Sequence, residues 1–222
     1  MTPSGQPRFN PLSAHDPAAQ PALAVETERL RQQLRSQHAA DPDELARLVG
    51  AVPSAQGGFV LDLWGEPLSL DFPELVACRG LSGALPLPVQ ALLMYYLNTT
   101  DGCRPSGEWV SFADLPGGRL YAQAFQGYSG NVLTRAFGDD VPAFRSACLA
   151  AGGMGYDLGD AAFTFKGLPF VPLLVTYWQG EEELPSASKI LFDPAATHHL
   201  PVDVCAIMGS MLVARILKAR TV

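Results

Sequence analysis

The chain has 222 residues, 48% of them hydrophobic and 17% charged, with a formal net charge of -7 from 22 acidic and 15 basic residues. That length and apolar content suit one main core with an appended tail, and the acidic balance offers no diffuse attraction to phosphate backbones or anionic lipid. Neither a nucleic-acid partner nor a membrane partner is expected.

No charged-then-apolar leader opens the sequence, and no run of about 18 uninterrupted apolar residues occurs, so a cytoplasmic protein is the expectation. The four cysteines, Cys78, Cys103, Cys148 and Cys205, lie far apart with no CxxC pair. They read as reduced thiols, and no metal site is expected from their spacing.

In chain order, residues 1–24 are rich in Pro, Ala and Ser, with too little apolar area to offset the entropy of ordering, and read as a disordered tail. Residues 25–222 then read as a single domain. A helix is predicted from Val25 to His38, with Leu30 and Leu34 one turn apart. The next helix has Asp41 as N-cap, Pro42 at its first position, Glu44 completing a capping box and Gly50 at its end.

Phe59, Leu61 and Leu63 alternate with Val60, Asp62 and Trp64, and Leu68, Leu70 and Phe72 alternate likewise after Gly65 and Glu66, which is a β-hairpin pattern. Pro88 opens a helix running to about Asn98, apolar on almost every side and therefore central. EWVSFADLPGG reads as a short strand and a turn. Leu120 to Gly152 is helical but interrupted by Gly127, Gly130 and Gly138, giving two or three short helices.

Three strands follow in AAFTFKGL, VPLLVTYWQG and ASKILFD, antiparallel because their connections are short. A last helix begins near Pro201 with Asp203 in its first turn. The predicted fold class is α+β, an antiparallel sheet of five or six strands with helices packed mainly on one face.

Several of these segments in order, ALLMYYL, PSGEWVSFADLPGG, AFGDD, GDAAF, LPFVPLL, YWQGEEELP, SKILFD and HHLP, resemble an uncharacterised bacterial and archaeal domain family, domain of unknown function 3786, over Gly58 to Leu212. The resemblance implies a shared fold and pocket. It also implies service to redox or to corrinoid and other one-carbon chemistry, since such domains are often joined to iron-sulfur modules in anaerobes. The cysteine cluster of that module is not in this chain, so an iron-sulfur protein would be a separate partner.

The candidate ligand-binding residues are Trp109, Ser111, Tyr177, Trp178, Glu182, Asp193, His198 and His199. Glu181, Glu182 and Glu183 crowd three carboxylates beside two aromatic rings, a setting for a cation or a solvated turn. His198 and His199 stand five and six residues after Asp193, so that Asp193 or Asp160 could orient an imidazole as base or ligand. Adjacent histidines in extended chain point to opposite sides, so at most one of the two is expected to face a pocket. Trp109, Ser111 and the Pro116-Gly117-Gly118 turn could form an aromatic lip; the spacing of a phosphate-binding loop is missing. No GxSxG setting surrounds Ser106, Ser111 or Ser129, and Cys103 follows Gly102 as a spacer or a reactive thiol.

The leading expectation is a small-molecule or cofactor-binding accessory protein, its ligand a tetrapyrrole or corrinoid supplied by a partner. A His/Asp acid-base hydrolase or lyase and a docking module for an iron-sulfur partner are the alternatives. All three place the Trp-bearing end of the closing strands and the paired imidazoles around one hollow.

Overall fold

The computed structural model describes residues 18–38, 41–55, 57–80, 83–181 and 184–220. Helix α1, Gln20–His38, starts five residues before the predicted Val25, and buries Leu23, Thr27, Leu30 and Leu34 along one stripe. Helix α2, Pro42–Leu48, begins as its sequence signals: the Glu44 amide donates to the Asp41 side chain at 2.9 Å. The rest of the predicted tail, residues 1–17, lies outside the described residues.

Four short strands follow and form an antiparallel sheet in sequential order: β1 Val52–Pro53, β2 Phe59–Leu63, β3 Glu66–Leu70 and β4 Ala77–Cys78. The β2–β3 hairpin pairs Leu63 with Glu66, leaving Trp64 and Gly65 as a two-residue loop with φ of 58° and 75°. Two successive left-handed residues match the right-handed strand twist. Gly65 adopts this conformation freely and Trp64 does so at a cost. The Trp64 amide donates to the Gly167 carbonyl at 2.9 Å, stitching this hairpin to the larger sheet.

Helix α3, Leu87–Thr99, is central as its composition demands, burying Gln90 through Met94 together with Tyr96 and Leu97. After β5, Val110–Ser111, come three short helices, α4 Ala122–Tyr128, α5 Gly130–Phe137 and α6 Val141–Ala150, the last capped by Asp140 accepting from the Ala143 amide. The larger sheet contains β5 and four later strands, β6 Met154–Tyr156, β7 Ala161–Leu168, β8 Val171–Trp178 and β9 Ala187–Phe192, in the order β5-β9-β8-β7-β6, all antiparallel. Helix α7, Val202–Arg220, closes the chain.

The antiparallel α+β class is observed, with the strands divided between two sheets rather than continuous in one. On one face of the larger sheet Phe163, Val175, Tyr177, Ile190 and Phe192 share a core with Leu133, Phe144, Val204, Met208 and Leu212 of the helices. That core is continuous with Leu61, Leu68 and Leu93 of the first half. On the opposite face Leu174 and Thr176 are also fully buried. There Trp109 and Tyr156 reach toward each other from the two edges of the sheet, their rings meeting edge-on at 6.1 Å. Among the described residues no helix is long and apolar enough to cross a membrane.

Candidate functional site

Helix α3 ends where Thr100 turns its hydroxyl back to the Tyr96 carbonyl at 2.7 Å. The next residues form an Asx turn, with the Cys103 amide donating to Asp101 Oδ1 at 2.9 Å across Gly102, whose φ is 82°. Gly102 is needed twice over, since a side chain there would also press on Leu48. This tight turn presents the Asp101 carboxylate and the Cys103 thiol on one side of the loop.

The second half of the site arrives on a short 3-10 turn, Pro194–His198, between β9 and α7. Asp193, fully buried, starts that turn by accepting from the Ala195 amide at 2.9 Å. Its other oxygen accepts from the Gly107 amide at 2.7 Å and the Ser106 hydroxyl at 3.2 Å. One buried carboxylate thus clamps the loop after α3 to the turn after β9. A buried charge survives only when its lone pairs are met in this way.

Held by that clamp, His198 Nδ1 lies 2.6 Å from Asp101 Oδ2. The Asp101 carboxyl is held below its ordinary value, first by the hydrogen bond from His198 and then by the Cys103 amide. Donor atoms of Asp101, Cys103 and His198 all lie within 4.8 Å of one another. Both partners of this contact stay open to solvent, with side chains 51% and 54% exposed.

His199 points the other way, into the protein. It is fully buried, with Phe170 and Tyr96 rings at 5.3 and 6.1 Å. Burial lowers its pKa, outweighing the favourable Cys103 carbonyl and Asp101 charge, so the ring is neutral. The Cys103 carbonyl is a favourable polar neighbour of the ring, but neither ring nitrogen makes a hydrogen bond of good geometry among the described residues. Burial likewise pushes the Tyr96 hydroxyl up while it donates to the Val49 carbonyl at 2.9 Å. The two histidines thus point apart, one inward and one outward, at the end of a 3-10 turn and not in the extended chain expected for them.

The remaining candidates do not gather here. Tyr177 is buried against Phe144 at 4.4 Å, with its hydroxyl donating to the Gly138 carbonyl, and burial raises its pKa. Trp178 ends β8, whereas Phe170, the neighbour of His199, precedes it. Eight residues of strand span about 25 Å, so the Trp-bearing end and the imidazoles lie at opposite ends of β8 and share no hollow. Ser111 is spent locally, its hydroxyl donating to Asp114 at 2.6 Å. Trp109 packs on Tyr156, and its buried Nε1 has no partner among the described residues. Glu182 lies outside the described residues.

Neither Asp193 nor Asp160 pairs with a histidine: Asp160 Oδ2 accepts from the Gln179 amide at 2.8 Å, at the Trp178 end. A depression of about 460 Å³ at that end is lined by Gly138, Asp139, Gly180, Glu181 and Leu184 to Ser186. Asp139 is committed there to the Gly180 amide at 3.0 Å. Sequence reasoning missed Asp101, and it left Cys103 between a spacer and a reactive thiol without tying it to a histidine. The Asp-Gly turn was their only local signal, because the partner His198 is 97 residues away.

A model of an uncharacterised family matches residues 41–215, well over half of the chain. The chain belongs to this domain of unknown function, DUF3786. The match begins at Asp41, taking in α2 and the smaller sheet that the resemblance over Gly58 to Leu212 left partly out. No curated protein and no solved structure matches the chain.

Proposed function

We propose that this DUF3786 chain is a cytoplasmic accessory protein that binds a small molecule or cofactor, and that it does so at the corner formed by Asp101, Cys103 and His198. The observation carrying this reading is the 2.6 Å contact between His198 Nδ1 and Asp101. A carboxylate that fixes one imidazole nitrogen orients the other toward a ligand and makes it a better electron donor. The half-exposed ring is free to present Nε2 outward, where a ligand brought by a partner can reach it.

The resemblance to domains joined to iron-sulfur modules supports a redox or one-carbon setting, with a tetrapyrrole or corrinoid as the ligand and imidazole as its axial donor. The acid-base alternative is less well supported. It needs an imidazole in a cleft beside a reacting group, whereas the carboxylates it invoked, Asp193 and Asp160, are hydrogen-bonded to backbone amides and not to a histidine.

Titration with aquocobalamin and with hemin, followed by visible absorption and by ring signals of isotope-labelled histidine, tests the reading. Binding that moves the His198 signals and disappears in His198→Ala supports it. An unchanged spectrum with both cofactors, or binding that His198→Ala leaves intact, overturns it.

A further inference from the structure

We infer that the Asp101–Cys103–His198 cluster binds a divalent transition-metal ion of the zinc, cobalt or nickel class directly, with one coordination position left to water or substrate. The inference rests on the reading of this corner as the working site and concerns the chain before any cofactor is bound.

The donor set is one thiol, one imidazole and one carboxylate, all within 4.8 Å. A tetrahedral ion with ligands at about 2.0–2.3 Å requires donors roughly 3.3–3.8 Å apart. His198 Nδ1 and Asp101 Oδ2, now 2.6 Å apart, would open by about 0.7 Å to admit the ion, and all three side chains are exposed or half-buried. Softness selects the ion: thiolate and imidazole favour zinc, cobalt and nickel, while magnesium and calcium demand more oxygen donors than the corner offers.

The frame is built to hold these donors in place. The Asx turn fixes Asp101 and Cys103 relative to each other, and the buried Asp193 clamp fixes their loop to the turn bearing His198. Directly behind stands His199, fully buried with neither ring nitrogen in a hydrogen bond of good geometry among the described residues. A buried polar ring so placed is unusual in an ordinary core, and it lies close enough for Asp101 and His198 to act on it electrostatically. With only three donors and a half-exposed position, the site has the open form of catalytic and transfer centres and not the closed form of structural zinc.

The test uses the whole chain, purified metal-free and reduced. Cobalt(II) should bind one to one and produce a thiolate-to-metal charge-transfer band, zinc should displace it, and calcium or magnesium in excess should not. Cys103→Ser should abolish the band and weaken zinc binding by more than about a hundredfold, beyond the loss typical of an outer-shell change. Asp101→Asn should weaken zinc binding by about tenfold or more, and Cys78→Ser should leave it unchanged. Circular dichroism and thermal melting confirm that each variant is folded.

Absence of cobalt or zinc binding in the wild-type chain overturns the inference, and so does binding that survives Cys103→Ser or is lost in Cys78→Ser. The broader reading fails on a different signal. Cofactor titration reports through His198 alone and should persist in Cys103→Ser, so a chain that binds cofactor but no metal sinks this inference and spares the other.

Discussion

The two ends of strand β8 make opposite use of similar residues. At the Phe170 end a thiol, an imidazole and a carboxylate converge and remain exposed or half-buried. At the Trp178 end there is a depression of about 460 Å³ lined by Asp139 and Glu181, where Asp139 accepts from the Gly180 amide and nearby Asp160 accepts from the Gln179 amide, with no thiol or imidazole in the lining. A hollow and a reactive constellation are separate things. Function is better sought where different donor types converge than where there is merely a hollow.

The comparison breaks if the clamp is removed. Asp193→Ala leaves the Gly107 and Ala195 amides and the Ser106 hydroxyl without their charged acceptor, and should cost about 3 kcal/mol in chemical denaturation. It should also release His198 from Asp101, seen as a shift of the His198 ring signals. A loss below about 1 kcal/mol would show that the carboxylate is not the anchor.

The converse substitution belongs to the other end. Gly159 has φ of 62°, and a side chain there would meet the Tyr177 carbonyl at 2.9 Å and Trp178 Nε1 at 3.0 Å. Gly159→Ala should therefore destabilise by about 1–2 kcal/mol while leaving the His198 signals in place. Movement of those signals would mean that the two ends are coupled.

The inward histidine sharpens the contrast through pH. His199 has a folded pKa below its unfolded value, so the unfolded chain takes up protons more readily. Stability should be level above the ordinary histidine range and fall as pH drops through it toward the lowered folded value. His199→Leu should flatten that part of the profile and, by removing two nitrogens without good hydrogen bonds, gain about 1 kcal/mol near neutrality. A wild-type profile with no loss below pH about 6.5 would contradict the buried, neutral assignment.

The smallest effect is expected at the outward histidine. His198→Ala should change stability by less than about 1 kcal/mol, as for other exposed ion pairs, yet let the Asp101 carboxyl rise toward its ordinary value. Carboxyl carbon signals followed through acid titration would register that rise, and an unmoved Asp101 would show that the contact is not maintained in solution.

Much of the fold was legible because its signals are local. Asp41, Pro42 and Glu44 announce α2, the alternation around Trp64 and Gly65 announces the hairpin, and the unbroken apolar surface of ALLMYYL places α3 in the centre. The division into two sheets was not legible, since β1, β4 and β5 are two residues each and β6 is three, too short to carry a period. They exist because longer neighbours pair with them.

The site was legible in part for the same reason. The His198–His199 pair and Asp193 stand out as chemistry-bearing residues near one chain junction, but the role of Asp193 as a clamp depends on a loop 86 residues away. Asp101 and Cys103 belong to the histidine only through the packing of α3 against the rest of the fold. Nothing in their own neighbourhood says so.

The amides of Gly107 and Ala195 come from distant parts of the chain yet are tied to the same carboxylate group. Their exchange with deuterated solvent should therefore rise and fall in step. An occupant that tightens the corner would slow both together, giving a way to detect its arrival before its identity is known.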